Sequence, residues 1–215
     1  MKQGDIILVS SKGGFFTLSG QIRFWTDSNL THSAQGAGNY IPDPSNPNII
    51  EPMILEASAA TKLTRWSYYQ NGDSRYWVYS WRKPEHQAIS ANWARAAQKE
   101  LDGDYYGVTM LPWFIYRRII KELHLPKRWA KHDFLHIRGE NICSEDVDIT
   151  LQRTATAILF NDFPQQTLTP IELAALKYTT DYYYDTTAVS PADLKLMITQ
   201  LVDAGLMYLT ERKLS

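Results

Sequence analysis

Three observations in this sequence predict an α+β fold. Strand signals crowd the first 81 residues, helical periodicity takes over after Pro84, and two proline-led helix starts mark the last fifth of the chain. The strand segments are 5–10, 30–35, 49–58 and 74–81, where apolar and β-branched or aromatic residues alternate between turn-rich stretches. Gly13-Gly14 separates the first two. Residues 36–48 carry prolines at 42, 44 and 47, which predicts a long surface loop, neither helix nor central strand.

Beyond Pro84, residues 87–101 place Ala88, Ala91, Trp93, Ala94, Ala97 and Leu101 at near-helical spacing and stop at Asp102-Gly103. Residues 108–125 form a second helical pattern, bent or begun near Pro112. Residues 127–138 form a basic connector with Lys127, Arg128, Lys131 and Arg138. From Cys143, steps of four reach Val147, Leu151, Ala155 and Leu159, an apolar file that predicts a helix with the cysteine in its first turn. Thr169-Pro170-Ile171-Glu172 and Ser190-Pro191-Ala192-Asp193 each supply a capping hydroxyl, a proline at the first helical position and an acid facing the orphan N–H groups. Leu194, Met197, Ile198, Leu201 and Leu206 then make an apolar stripe that predicts packing on the core.

With 215 residues the chain is long enough for a substantial core, and we expect one domain over 1–215, its core at about 4–160 and a helical C-terminal extension at about 165–215. The 22 basic and 23 acidic side chains leave a net charge of −1, which gives no global attraction to nucleic acid or anionic membrane. A single cysteine excludes an internal disulfide framework and a multi-cysteine zinc site. The first residues lack a signal-peptide core and no apolar run is long enough to span a bilayer, so the expectation is a chain made in the cytoplasm, without integral membrane association, and delivered elsewhere only by a route needing no cleavable leader.

The same cysteine carries the chemistry. At a helix start, unpaired N–H groups and the positive end of the helix dipole stabilise a thiolate, the form that attacks carbonyls. A thiol hydrolase also needs a base and a residue to orient it. His32 lies in a strand pattern with Leu30 and Ala34 on its face. Glu56 lies in the next strand with Ile54 and Ser58, and strands about 5 Å apart let a carboxylate reach an imidazole. Glu51 is a competitor for the third role.

Taken in order, Gly4-Asp5-Ile6-Ile7, the Thr31-His32 strand, Leu55-Glu56-Ala57, the turn Gly103-Asp104-Tyr105-Tyr106-Gly107 and Asn141-Ile142-Cys143-Ser144-Glu145 resemble the NlpC-like superfamily of papain-fold cysteine hydrolases. The resemblance, over roughly residues 4 to 160, is to its circularly permuted branch, which includes YiiX- and YaeF-type proteins and lecithin retinol acyltransferase relatives. It implies a papain-like domain with a small antiparallel or barrel-like sheet against helices. It also implies Cys143 as nucleophile, His32 as general base, Glu56 as the orienting residue, and Tyr105 and Tyr106 on the substrate side. The implied activity is an amidase or endopeptidase acting on peptidoglycan peptides without a cofactor, in a phage or secretion-system context. Acyl transfer or thioester hydrolysis on acyl lipids is the alternative within the branch. The chain departs from the family at Ser33-Ala34-Gln35, where apolar residues are usual. Glu145, Asp146 and Asp148 crowd the cysteine, and one facing the thiol would raise its pKa.

Three rival readings stand beside it. His132 and His136, spaced i, i+4, and Cys143 compose a metal site, but the glutamate of a zincin motif is missing. A papain-like fold without turnover would be a binding module. Lys127, Arg128, Trp129, Lys131 and Arg138 suit nucleic acid only as a local basic stretch, which is commonly a solvated face. The tyrosines Tyr178, Tyr182, Tyr183 and Tyr184 fit either a ligand-stacking wall or a core edge.

Overall fold

The strand signals of the first 81 residues are realised in one antiparallel sheet. The computed structural model describes residues 1–12, 17–42, 48, 50–57, 61–101, 105–106, 110–125, 140–141, 143–162, 167–185 and 189–214. In chain order they form β1 (Ile6–Ser10), α1 (Leu18–Thr26), β2 (His32–Pro42), β3 (Ile50–Ala57), β4 (Thr61–Arg65), α2 (Ser67–Asn71), β5 (Arg75–Trp81), α3 (Pro84–Leu101), β6 (Tyr105–Tyr106), α4 (Met110–Glu122), β7 (Glu140–Asn141), α5 (Cys143–Asp162), α6 (Pro170–Asp185), α7 (Pro191–Asp203) and β8 (Met207–Lys213). Six strands lie in the order β4-β3-β2-β1-β5-β8, every neighbouring pair antiparallel, and β6 pairs with β7 in parallel. The fold is α+β, and its sheet is open, not closed into a barrel.

Strand alternation gives the sheet two apolar faces. Ile7, Val9, Ala34, Ile54, Tyr76 and Val78 pack with Trp66 and with Tyr69 of α2 on one face. On the other, Ile6 and Leu8 meet Val147, Leu151, Ala155 and Ile158 of α5, and the same cluster takes in Leu194, Met197, Ile198 and Leu201 of α7. The expected apolar file of the cysteine helix and the expected C-terminal stripe are therefore core, and the end of the chain adds β8 to the sheet. Ser190 caps α7 through a capping box with Asp193, behind Pro191 at the helix start.

The expected loop at 36–48 is corrected in its first half. Residues 36–42 extend β2, a central strand, pairing Tyr40, Ile41 and Pro42 with Pro52, Glu51 and Ile50 of β3 after a register shift between Gly36 and Tyr40. The shift reconciles proline with strand: Gly38 takes φ of +73°, and Pro42 falls at the strand's last position, where a missing N–H matters least. Residues 43–47 and 49 lie outside the described residues.

The Gly-Asp-Ile-Ile opening also has a physical basis. Gly4 has φ of +78° and lies so close to α3 that a Cβ would stand 2.6 Å from the Ala91 nitrogen. This turn buries the Asp5 carboxylate, which accepts from the Ser80 hydroxyl at 2.6 Å, the Gln87 amide at 3.1 Å and the Lys2 N–H at 2.5 Å. Sheet and α3 are thereby stitched together at β1, beside the strand that carries His32.

Candidate active site

Cys143 is the first residue of α5, as its position in the sequence predicts. Two hydrogen bonds from the first turns of this helix fix where it sits. The Ser144 hydroxyl donates to the Val189 carbonyl at 2.5 Å, and the Thr61 hydroxyl donates to the Asp146 carboxylate at 3.2 Å. Asp148 turns instead to Gln152, whose amide donates to it. These two acids thus have partners of their own; the Glu145 side chain lies outside the described residues.

The sulfur reaches the sheet where β3 leaves it. Pairing of β2 with β3 runs only as far as Gln35 and Leu55, and two residues earlier the Ser33 N–H donates to Cys143 in place of a strand carbonyl. The buried Ser33 hydroxyl, without a hydrogen-bond partner among the described residues, faces the neighbourhood of the same sulfur. Ser33, a departure from the family pattern in the sequence, is thus a neighbour of the thiol.

His32 faces Cys143 from the start of β2 and hydrogen bonds to it. Its Nε2–H donates to Glu56 Oε2 at 2.9 Å, which leaves Nδ1 for the sulfur. Glu56 is 5% exposed, and two further donors meet it: the Thr64 hydroxyl on Oε1 at 2.6 Å, and the Tyr69 hydroxyl on Oε2. Cys143, 2% exposed, His32 and Glu56 therefore form one hydrogen-bonded chain. Glu51, the competitor, is engaged elsewhere, accepting from Arg65 at 3.1 Å and from the Ser67 N–H at 2.7 Å.

Electrostatics favour charge separation along this chain. Burial alone would lower the His32 pKa, but the Cys143 thiolate and the bonded Glu56 overcome it and raise the imidazole from 6.5 to about 10. Burial alone would raise the Cys143 pKa; the imidazolium, then the Ser33 donors, bring it below its ordinary value. Glu56 follows the same logic, with burial opposing ionisation and His32, Thr64 and Tyr69 lowering it from 4.5 to about 2. All three shifts favour the charged forms, thiolate, imidazolium and carboxylate.

Tyr105 and Tyr106 form β6, paired with Glu140 and with Asn141, which is two residues before Cys143. That register joins their backbone to the short strand that precedes α5 in the chain, while their side chains lie outside the described residues. His132, His136 and the basic stretch 127–138 also lie outside them, as do the side chains of Tyr182, Tyr183 and Tyr184; Tyr178 packs half-buried against the core. Among the described residues no group of three or more histidine, cysteine, aspartate or glutamate side chains is placed to hold a metal ion, and no helix is long and apolar enough to cross a membrane.

Ser33, Thr64 and Tyr69 are the site neighbours that sequence reasoning missed. Ser33 carried a signal in its adjacency to His32. Thr64 and Tyr69 come from β4 and α2, which have no strong periodicity, and only the fold brings them to Glu56. No family model and no curated protein matches the chain.

Proposed function

We propose that the protein is a cysteine hydrolase of the amidase or endopeptidase type, with a permuted papain-like arrangement in which Cys143 is the nucleophile, His32 the acid and base, and Glu56 the residue that orients His32. The observation that carries this reading is the hydrogen-bonded chain from Cys143 through His32 to Glu56, whose electrostatics lower the thiol pKa and raise that of the imidazole.

In this reading the thiolate adds to a substrate carbonyl carbon, forming a C–S bond and moving an electron pair to oxygen. The Cys143 N–H, at the first position of α5, donates to that oxyanion. His32 then gives its proton to the leaving nitrogen, and the C–N bond breaks to leave a thioester. Water attacks next, His32 takes its proton, and cleavage of the C–S bond restores the thiolate. Glu56 keeps the imidazole facing sulfur in both half-reactions and stabilises its charged form.

The resemblance to permuted NlpC-like enzymes makes a peptide amide of peptidoglycan the leading substrate class. The test is digestion of muropeptides followed by mass spectrometry. Wild type is expected to release fragments with new amine and carboxyl ends and Cys143→Ala none. Identical fragment spectra from the two proteins contradict the proposal.

A further inference from the structure

Glu56 is held more firmly than an orienting carboxylate requires. Its Oε1 accepts from Thr64, and its Oε2 accepts from both His32 and Tyr69. The Tyr69 ring comes from α2, on the sheet face opposite α5, and lies nearly parallel to the imidazole, 11° between planes with centroids 6.3 Å apart. Trp66 backs the same ring at 6.1 Å and 27°. Packed this way, the phenol directs its O–H at Glu56 Oε2.

We propose that Tyr69 is a positioning residue of this site: by donating to the Glu56 oxygen that His32 also uses, its hydroxyl fixes the carboxylate as an anion behind the imidazole. The proposal rests on the triad reading above and adds a fourth member to it. An ionised carboxylate held by three donors resists rotation and resists taking the imidazolium proton. Burial and then the Glu56 charge push the Tyr69 phenol above its ordinary range, so it stays an O–H donor throughout the pH range in which the triad works. Without that O–H, nothing holds Glu56 Oε2 from the far side, and the carboxylate is free to swing out of line with the imidazole. The imidazolium then loses its aligned counter-charge, and the Cys143 thiolate recaptures a proton at higher pH.

The experiment titrates the ultraviolet absorbance of the thiolate downward in pH, as a difference against Cys143→Ala, in wild type, Tyr69→Phe, Glu56→Gln, the double variant and His32→Ala. Tyr69→Phe keeps the ring and its packing, and its thiolate midpoint is expected to rise by about one pH unit, a tenfold change in the ionisation equilibrium. In the Glu56→Gln background the same substitution should add nothing, because Tyr69 acts through the carboxylate. A Tyr69→Phe titration superimposed on wild type, or a full additional shift in the double variant, overturns the role of Tyr69. If His32→Ala also superimposes on wild type, the triad itself falls; if His32→Ala removes the neutral-pH thiolate while Tyr69→Phe changes nothing, only the fourth member does.

Discussion

Glu56 and His32, 24 residues apart on adjacent strands, meet through a 2.9 Å hydrogen bond between Oε2 and Nε2, on an imidazole that also contacts Cys143. That bond is both an orienting and a charge-stabilising contact, and a neutral isostere separates the two. Glu56→Gln retains the shape but not the charge, so the imidazolium is stabilised less and the thiolate fraction falls. The expected result is alkylation of Cys143 at neutral pH slower by about tenfold to a hundredfold, a milder loss than in His32→Ala. Iodoacetamide labelling followed by intact-mass spectrometry reads it directly.

The site predicts a stability profile with a flat middle. The raised His32 pKa contributes stability that is complete below 6.5 and lost as pH rises through about 10. The lowered Cys143 pKa contributes stability that is present above its ordinary 9.0 and lost as pH falls. Wherever between 6.5 and 9.0 the folded thiol is ionised, these opposing slopes cancel, because the folded pair and the unfolded chain each hold one proton. Glu56 adds stability present above 4.5 and lost as pH falls toward about 2, on the order of 3 kcal/mol for a shift of that size. The difference in unfolding free energy between wild type and the Cys143→Ala/His32→Ala double variant, in which Asp148 and the other buried acids cancel, should therefore be level from pH 7 to 9 and fall on both sides. In Cys143→Ala, His32 loses its thiolate neighbour, and its imidazole, followed by NMR, should titrate lower than in wild type.

Asp148 is a buried acid outside the triad whose pKa burial drives from 3.8 to about 7, with the Gln152 donor lowering it and the Asp193 charge raising it. Its preference for the neutral form contributes stability that is complete below 3.8 and gone once pH has risen through 7. Asp148→Asn supplies a permanently neutral isostere. At pH 8 it should be more stable than wild type, by up to about 4 kcal/mol, with the gain shrinking toward pH 4. Chemical denaturation at the two pH values checks the sign.

The cysteine helix is held by packing more than by polar contacts. Leu151 is fully buried against β1 and α7, and Leu151→Ala should cost about 2–5 kcal/mol through lost burial and the cavity left behind. Ser144→Ala leaves the Val189 carbonyl without its buried donor and should cost about 1–3 kcal/mol. Equilibrium unfolding of both variants tests that order.

Much of this arrangement is legible in the residues. Strands, the helix at Cys143 and both proline-led caps follow from local periodicity and capping chemistry, which act within one element. His32, Glu56 and Cys143 are legible through their order along the chain and the alternation that sets a strand's faces. What the sequence hides is tertiary. Pro42 argues against a central strand, yet a register shift and a terminal position accommodate it in β2. β4 and α2 are short and weakly patterned, so Thr64 and Tyr69 gain their partners only when the sheet assembles. Ser33 was visible beside His32, but that its N–H would meet sulfur depends on β3 ending where it does.

The central claim is that Cys143 and His32 form an ion pair, and its most direct test is the rate of Cys143 alkylation by iodoacetamide across pH in wild type and His32→Ala. Only one thiol reports. The account predicts a wild-type profile with its midpoint well below 9.0, moving back up when the imidazole is removed. A midpoint at the ordinary thiol value, the same in both proteins, would contradict it and mark Cys143 as a packing residue.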